Sequence, residues 1–246
     1  MSSGIHALVL AAGKGKRMGA PIPKVMVQAA GRPLLGWVLK NLEEAGADRI
    51  TAIVGFGKEE VIASLPEGVC WVEQAEQRGT GHAVLCAREA LAGFEGTVLV
   101  TCGDMPLIRG ATFRKLLDRH EESGADCTML TATVEPPHRY GRILRDAKGR
   151  VKRIVEAEDA TEEELSIAEV NTGVYAFRAP FLFQALRRVG NANRQGEYYL
   201  TEVVEILLRG GRRVEAISCE DAREALGVNS SEDLARVEAM LAGVGP

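Results

Sequence analysis

Paired cysteines, long apolar runs, a basic excess and the common phosphate-loop fingerprints are all missing from this sequence, and each absence narrows its reading. The five cysteines, Cys70, Cys86, Cys102, Cys127 and Cys219, are scattered and odd in number. That spacing offers neither a CxxC zinc site nor a disulfide framework, so a reducing cytoplasm is the expected setting. No segment stays apolar for the roughly 20 residues that a membrane helix needs. The run from Ile5 to Ala12 is not expected to be a signal peptide, since no basic region precedes it and Lys14, Lys16 and Arg17 follow at once. A net charge of −4 over 246 residues excludes a broad nucleic-acid surface, so any anion site must be local. Neither GxGxxG nor GxxxxGK(S/T) occurs, which removes the dinucleotide and Walker loops, and no internal repeat or low-complexity linker is present.

What remains is ordinary for a soluble globular protein, 46% hydrophobic and 26% charged. Through the first half, buried-strand runs (IHALVLA, RITAIVG, GVCWVEQ, TVLVTC) alternate with segments of helical spacing. In one of these, Leu34, Leu35, Val38, Leu39 and Leu42 share a face and Gly46 supplies the stop. This βαβα order predicts an α/β fold, a Rossmann-like, mostly parallel sheet with helices on both faces. After Asp126 the pattern changes. CTMLTATVE and EVNTGVYAFRA are strand-like and flank a hairpin turning at Asp146 to Gly149, followed by a short helix in DATEEEL. The chain then reads as two helices, the strand RVEAISC, and a last helix capped by Ser230 or Ser231. We expect one domain over residues 1–246, with a nucleotide-binding lobe (about 1–125 and 205–246) and an antiparallel excursion forming a sugar-side lobe (126–204).

Several stretches carry site chemistry. LVLAAGKGKRMGAPIPK runs from a strand into glycines that let backbone N–H groups approach an anion, with Lys14, Lys16, Arg17 and Lys24 close by. Pro21 and Pro23 restrict the backbone before Lys24, as a placed phosphate clamp requires; a solvated basic loop is the bland alternative. CGDMPL, with Cys102, Gly103 and Asp104, follows a strand directly, and ligands of open α/β sheets bind at such strand ends. A carboxylate beside a phosphate site calls for a divalent cation between them, Mg2+ by preference, although Asp104 could equally cap a turn. The amides Gln74 and Gln77 precede a Gly79-Thr80-Gly81 step into a helix and can read a nucleobase edge; either alone could be mere surface. His82 is taken as structural. Gly141, Glu156 and Asn171 stand amid strand-like sequence and could meet sugar hydroxyls or an acetamido group, while Asn229 precedes the last helix.

Taken in order, LVLAAGKGKRM with Lys24, QAEQRGTGHA, GDMPL, YGRI, IVEAED, VNTGVY, GEYYLTEVV and GVNSSEDL resemble the pyrophosphorylase domain of the bacterial N-acetylglucosamine-1-phosphate uridylyltransferases over nearly the whole chain. The resemblance implies the nucleotide-diphospho-sugar transferase fold and a Mg2+-dependent, cytoplasmic reaction of UTP with N-acetylglucosamine 1-phosphate, giving UDP-N-acetylglucosamine and pyrophosphate. It implies that Leu10, Ala11, Ala12, Gly13, Gln74 and Gly79 hold uracil, with Gln77 and Thr80 nearby. Arg17 and Lys24 would bind phosphates and act in catalysis with Asp104. Asp104 and Asn229 would hold the metal. Gly141, Glu156 and Asn171 would contact the sugar, with Tyr199 a looser candidate and Cys102 and Gly103 beside them. Such chemistry aligns two polyanions and neutralises charge, so the absence of a Ser/His/Asp set is consistent with it. Cys102 departs from the aromatic residue common in the family two positions before the aspartate, which leaves the sugar open. No hexapeptide repeat follows, so neither acetyltransferase activity nor trimerisation through a β-helix is expected, and a monomer or dimer is. Two other readings stand beside it: the same chemistry on another sugar 1-phosphate or nucleotide, and a non-catalytic nucleotide-sugar-binding regulatory subunit.

Overall fold

The computed structural model describes residues 4–15, 22–135 and 139–243. In chain order its elements are β1 (Ile5–Ala11), a 3-10 turn at Lys24–Met26, β2 (Gln28–Ala29), β3 (Arg32–Pro33), α1 (Leu34–Glu44), β4 (Arg49–Val54), α2 (Lys58–Ala63), β5 (Cys70–Glu73), α3 (Thr80–Cys86), β6 (Thr97–Cys102) and α4 (Gly110–Ser123). There follow β7 (Cys127–Thr133), β8 (Arg142–Arg145), β9 (Val151–Val155), α5 (Glu162–Leu165), β10 (Glu169–Arg178), α6 (Ala179–Leu186), α7 (Glu202–Arg209), β11 (Val214–Ser218) and α8 (Ser231–Leu241).

The central sheet runs β11-β7-β10-β6-β1-β4-β5. Along that path only β10 opposes the others, pairing antiparallel with both β6 and β7. The remaining neighbours, such as β1 with β4 and β6, are parallel. The expected α/β sheet is therefore present, and the antiparallel part enters it: β10 is wedged between two parallel strands, while β8 and β9 form a hairpin attached to β10. The hairpin turns where expected, with Gly149 at φ 75° and the Asp146 carboxylate accepting from the backbone of Lys148 and Arg150.

Strand alternation divides the core. Ala7, Val9 and Ala11 of β1 face one layer with α1 and α4, whereas Leu8 faces the other with α3, α6 and α7. The periodic residues of α1 are all buried, as their spacing predicts. A smaller cluster of Val27, Ala29, Leu34, Val228 and Val237 fastens α8 to the separate antiparallel pair β2–β3, which brings the segment before α8 back toward the carboxyl ends of β1 and β6. Ser230 caps α8 by accepting from Asp233 N–H.

Candidate active site

The carboxyl ends of β1 and β6 are tied together by Gly103 N–H donating to Leu10 O at 2.9 Å. Behind them Gly15 lies against Lys24. Gly15 adopts φ 58°, and a Cβ there would lie 2.9 Å from Lys24 Cβ, so only glycine allows this approach. Lys24 itself opens the 3-10 turn after Pro23 (φ −55°), while Val25 and Met26 sink into the core and hold the lysine's root.

The Lys24 ammonium lies between two oxygens from distant parts of the chain. It donates to Asn229 Oδ1 at 2.8 Å and forms a close ion pair with Asp104 Oδ2. Both partners are fixed in turn. Val228 N–H donates to Asp104 O at 3.0 Å, and Asn229 binds Asp233 through its backbone and Gly227 O through its side-chain nitrogen, which aims Oδ1 at the lysine. The two residues expected to hold a metal thus point their oxygens at one cation.

From this cluster a cleft of about 710 Å3 extends under the β8–β9 hairpin. Of the residues singled out in the sequence, Leu10, Thr80, Cys102, Asp104, Gly141, Glu156, Asn171 and Asn229 line it. Glu156 accepts from Thr201 Oγ1 at 2.9 Å, and burial holds its carboxyl above the usual range, opposed by that hydrogen bond. A Cβ on Gly141 would lie 3.3 Å from Glu156 Oε2, so the glycine keeps the carboxylate accessible. Asn171 donates its backbone N–H to Gly141 O at 2.8 Å. Cys102 sits half-buried in the cleft lining, its thiol pushed up to about 12 by burial and by Asp104, the opposite of the shift that activates a nucleophilic thiol.

The residues expected on the base side form a separate group. Gln74 is buried, and its amide nitrogen donates to Gly79 O at 3.0 Å and meets His82 Nδ1 at 3.1 Å, which leaves its carbonyl oxygen as the group still able to bind. His82 therefore orients Gln74, in keeping with a structural role. Gln77 is exposed, donates to Gln74 O and packs near Gly55 beside Ala12, while Gly13 is open. Ala11 and Ala12 are buried. Tyr199 is buried and is not among the residues lining the cleft; burial pushes its phenol up. Arg17, Lys16 and Pro21 lie outside the described residues.

Two residues on the cleft wall escaped the sequence reading. Thr201 anchors Glu156, and Tyr175 donates to Asn171. Neither lies in a motif of its own; only their place within the quoted GEYYLTEVV and VNTGVY strings could have drawn attention to them.

Among the described residues no group of three or more His, Cys, Asp or Glu side chains converges on a metal site. Two oxygens, one carboxylate and one amide, nevertheless suit a hard divalent cation that draws its remaining ligands from phosphates and water.

The model of the MobA-like NTP transferase domain matches residues 7–164. The bifunctional protein GlmU of Pelobacter propionicus is 46% identical over 239 residues, 96% of this chain and 52% of its own length. Its counterpart in Lactococcus lactis subsp. cremoris is 48% identical over 232 residues, 94% of this chain and 51% of its own. The chain spans about half the length of the curated relatives it matches. A crystal structure of UDP-glucose pyrophosphorylase complexed with UDP-glucose superposes with a TM-score of 0.78 over 98% of this chain and 99% of that one, at 18% identity, a likeness of fold.

Proposed function

The chain belongs to the family of MobA-like NTP transferase domains, and from that premise we propose that it joins UTP to N-acetylglucosamine 1-phosphate, releasing pyrophosphate and forming UDP-N-acetylglucosamine. The observation that carries this reading is the convergence of Lys24, Asp104 and Asn229 at the mouth of a cleft whose far wall is Glu156, Gly141 and Asn171. The GlmU relatives support the choice of substrates.

In this reading the sugar phosphate oxygen attacks the α-phosphorus of UTP as the bond to the β-phosphate oxygen breaks. The nucleophile is already an anion, so no general base is required, and the protein's task is alignment and charge neutralisation. Lys24 supplies a positive point charge held by two anchored oxygens, so little reorganisation is needed as charge develops. The Gln74 carbonyl oxygen accepts from the N3–H of uracil, a donor that cytosine lacks at that position. Asp104 and Asn229 would hold Mg2+, which when bound neutralises phosphate charge. Arg17 would add a second cation on the pyrophosphate side.

A second reading keeps the chemistry and changes the hexose 1-phosphate; it rests on Cys102, whose small side chain stands on the cleft floor. Pyrophosphate release across four nucleoside triphosphates and several sugar 1-phosphates tests both. UTP with N-acetylglucosamine 1-phosphate should give the highest kcat/KM, and absence of turnover with that pair refutes the proposal. Asp104→Ala should lower kcat by at least about 100-fold, with an unchanged circular dichroism spectrum. Undiminished turnover would remove Asp104 from the site.

A further inference from the structure

The geometry points to Tyr175 as a positioning residue that fixes the amide of Asn171, and through it the preference for a sugar phosphate carrying an acetamido group; this rests on the proposed reaction. Asn171 lies on β10 where the pairing with β7 loses register between Asn171 and Tyr175, and Gly173 at φ 78° makes the bend. The bend turns two donors onto one oxygen. Gly173 N–H donates to Asn171 Oδ1 at 3.1 Å, and Tyr175 O–H donates to the same atom at 2.9 Å. A backbone N–H can only donate, so the atom facing it must be the amide oxygen. The orientation of the side chain is thereby settled, and its NH2 is turned away from the bend.

That NH2 has no hydrogen-bond partner among the described residues, although Asn171 is only 9% exposed and lines the cleft. Beside it, across Gly141, stands Glu156, with Oε1 taken by Thr201 and Oε2 close to the glycine. The cleft wall thus offers one amide donor and one carboxylate acceptor on either side of a residue with no side chain. An acetamido substituent supplies the complementary pair, a C=O that accepts and an N–H that donates, on separate atoms. Were the Asn171 amide to flip, its oxygen would face the sugar carbonyl and repel it.

Tyr175 is 1% exposed, with its ring stacked on Phe177 at 5.3 Å. Phenylalanine fills the same space and leaves only the Gly173 N–H to hold Asn171. Tyr175→Phe should therefore keep the melting temperature and the KM for UTP close to wild type. It should also raise the KM for N-acetylglucosamine 1-phosphate and cut the kcat/KM preference over glucose 1-phosphate by roughly tenfold, the worth of one well-placed hydrogen bond. Because the effect passes through Asn171, adding Tyr175→Phe to Asn171→Ala should change the preference no further. A preference ratio retained in Tyr175→Phe overturns the inference, and so does a further loss in the double variant or a KM for UTP that rises in step. A wild-type protein that turns over both sugar phosphates without preferring the acetamido one overturns the inference while leaving the transfer reaction standing. No turnover with any pair overturns the proposed reaction and the inference together.

Discussion

At the residue scale, Lys24 places a single positive charge where two distant parts of the chain meet, between Asp104 and Asn229. Its side chain is 15% exposed and that of Asp104 20%, so their attraction is less screened than that of a surface pair. Lysine presents a compact point charge, whereas arginine presents a flat fork whose hydrogen bonds have fixed directions. The ammonium sits between a carboxylate and an amide oxygen, an arrangement that a fork could satisfy only by displacing one of them. Lys24→Ala should lower kcat by about 100-fold or more, and Lys24→Arg should recover less than about a tenth of the lost rate. Steady-state rates for the two variants decide this, and full rescue by arginine would show that charge alone suffices. The residue types were legible in the sequence: a lysine framed by proline, an aspartate at a strand end and an asparagine before a helix. Their meeting was not, because Lys24 and Asn229 are 205 positions apart in the chain and no local pattern encodes a contact at that range.

At the scale of elements, the two sides of the cleft are coupled through the start of α3. Gly79 has φ 109°, and a Cβ on it would lie 2.6 Å from Tyr198 O. Around it Tyr198 N–H donates to Arg78 O at 2.8 Å, Gly81 N–H to Tyr198 O at 2.7 Å, and Leu200 N–H to Thr80 Oγ1 at 2.9 Å. The segment that enters α7 is thereby laced to the loop carrying Gln74, and Thr201, next along, holds Glu156. Gly79→Ala imposes a strained backbone and a clash with main chain, so it should lower stability by about 1–3 kcal/mol. It should also raise the KM for both substrates, since the lacing joins the proposed base side to the proposed sugar side. A KM increase confined to UTP would show that the two sides are independent. The strands and helices joined by this lacing were readable from periodicity, because burial imposes a period of two or of 3.6 on each separately. The insertion of β10 between β6 and β7 was not, since strand order depends on which apolar faces meet and leaves no trace in any one strand's pattern.

At the scale of the whole molecule, the end of the sheet opposite the cleft should limit stability in acid. His6 and His120 are both buried there, each bonded to a threonine hydroxyl, His6 Nε2 to Thr51 at 2.8 Å and His120 Nδ1 to Thr128 at 2.9 Å. Burial and the nearby Arg49 hold the His6 imidazole below its ordinary value. Burial, then Arg178, lowers His120 to about 4. The unfolded chain takes up a proton at these positions near pH 6.5, but folded His120 resists until about pH 4, so acidification across that interval favours unfolding. At roughly 1.36 kcal/mol per unit, His120 alone would withdraw about 3 kcal/mol, a sizeable share of a typical domain's 5–15 kcal/mol. Carboxylates paired with arginine, such as Glu169 and Glu215, have lowered values and keep their contribution until the pH falls below the ordinary carboxylate range. The melting temperature should therefore fall in two stages, first from about pH 6.5 to 4 through the histidines and then more steeply as the carboxylates protonate. Asparagine in place of His120 can keep a hydrogen bond to Thr128 without titrating. Calorimetry of His120→Asn across pH 7 to 4 should give a shallower first stage than wild type whatever the variant's absolute stability. An unchanged slope would assign the acid sensitivity to other groups.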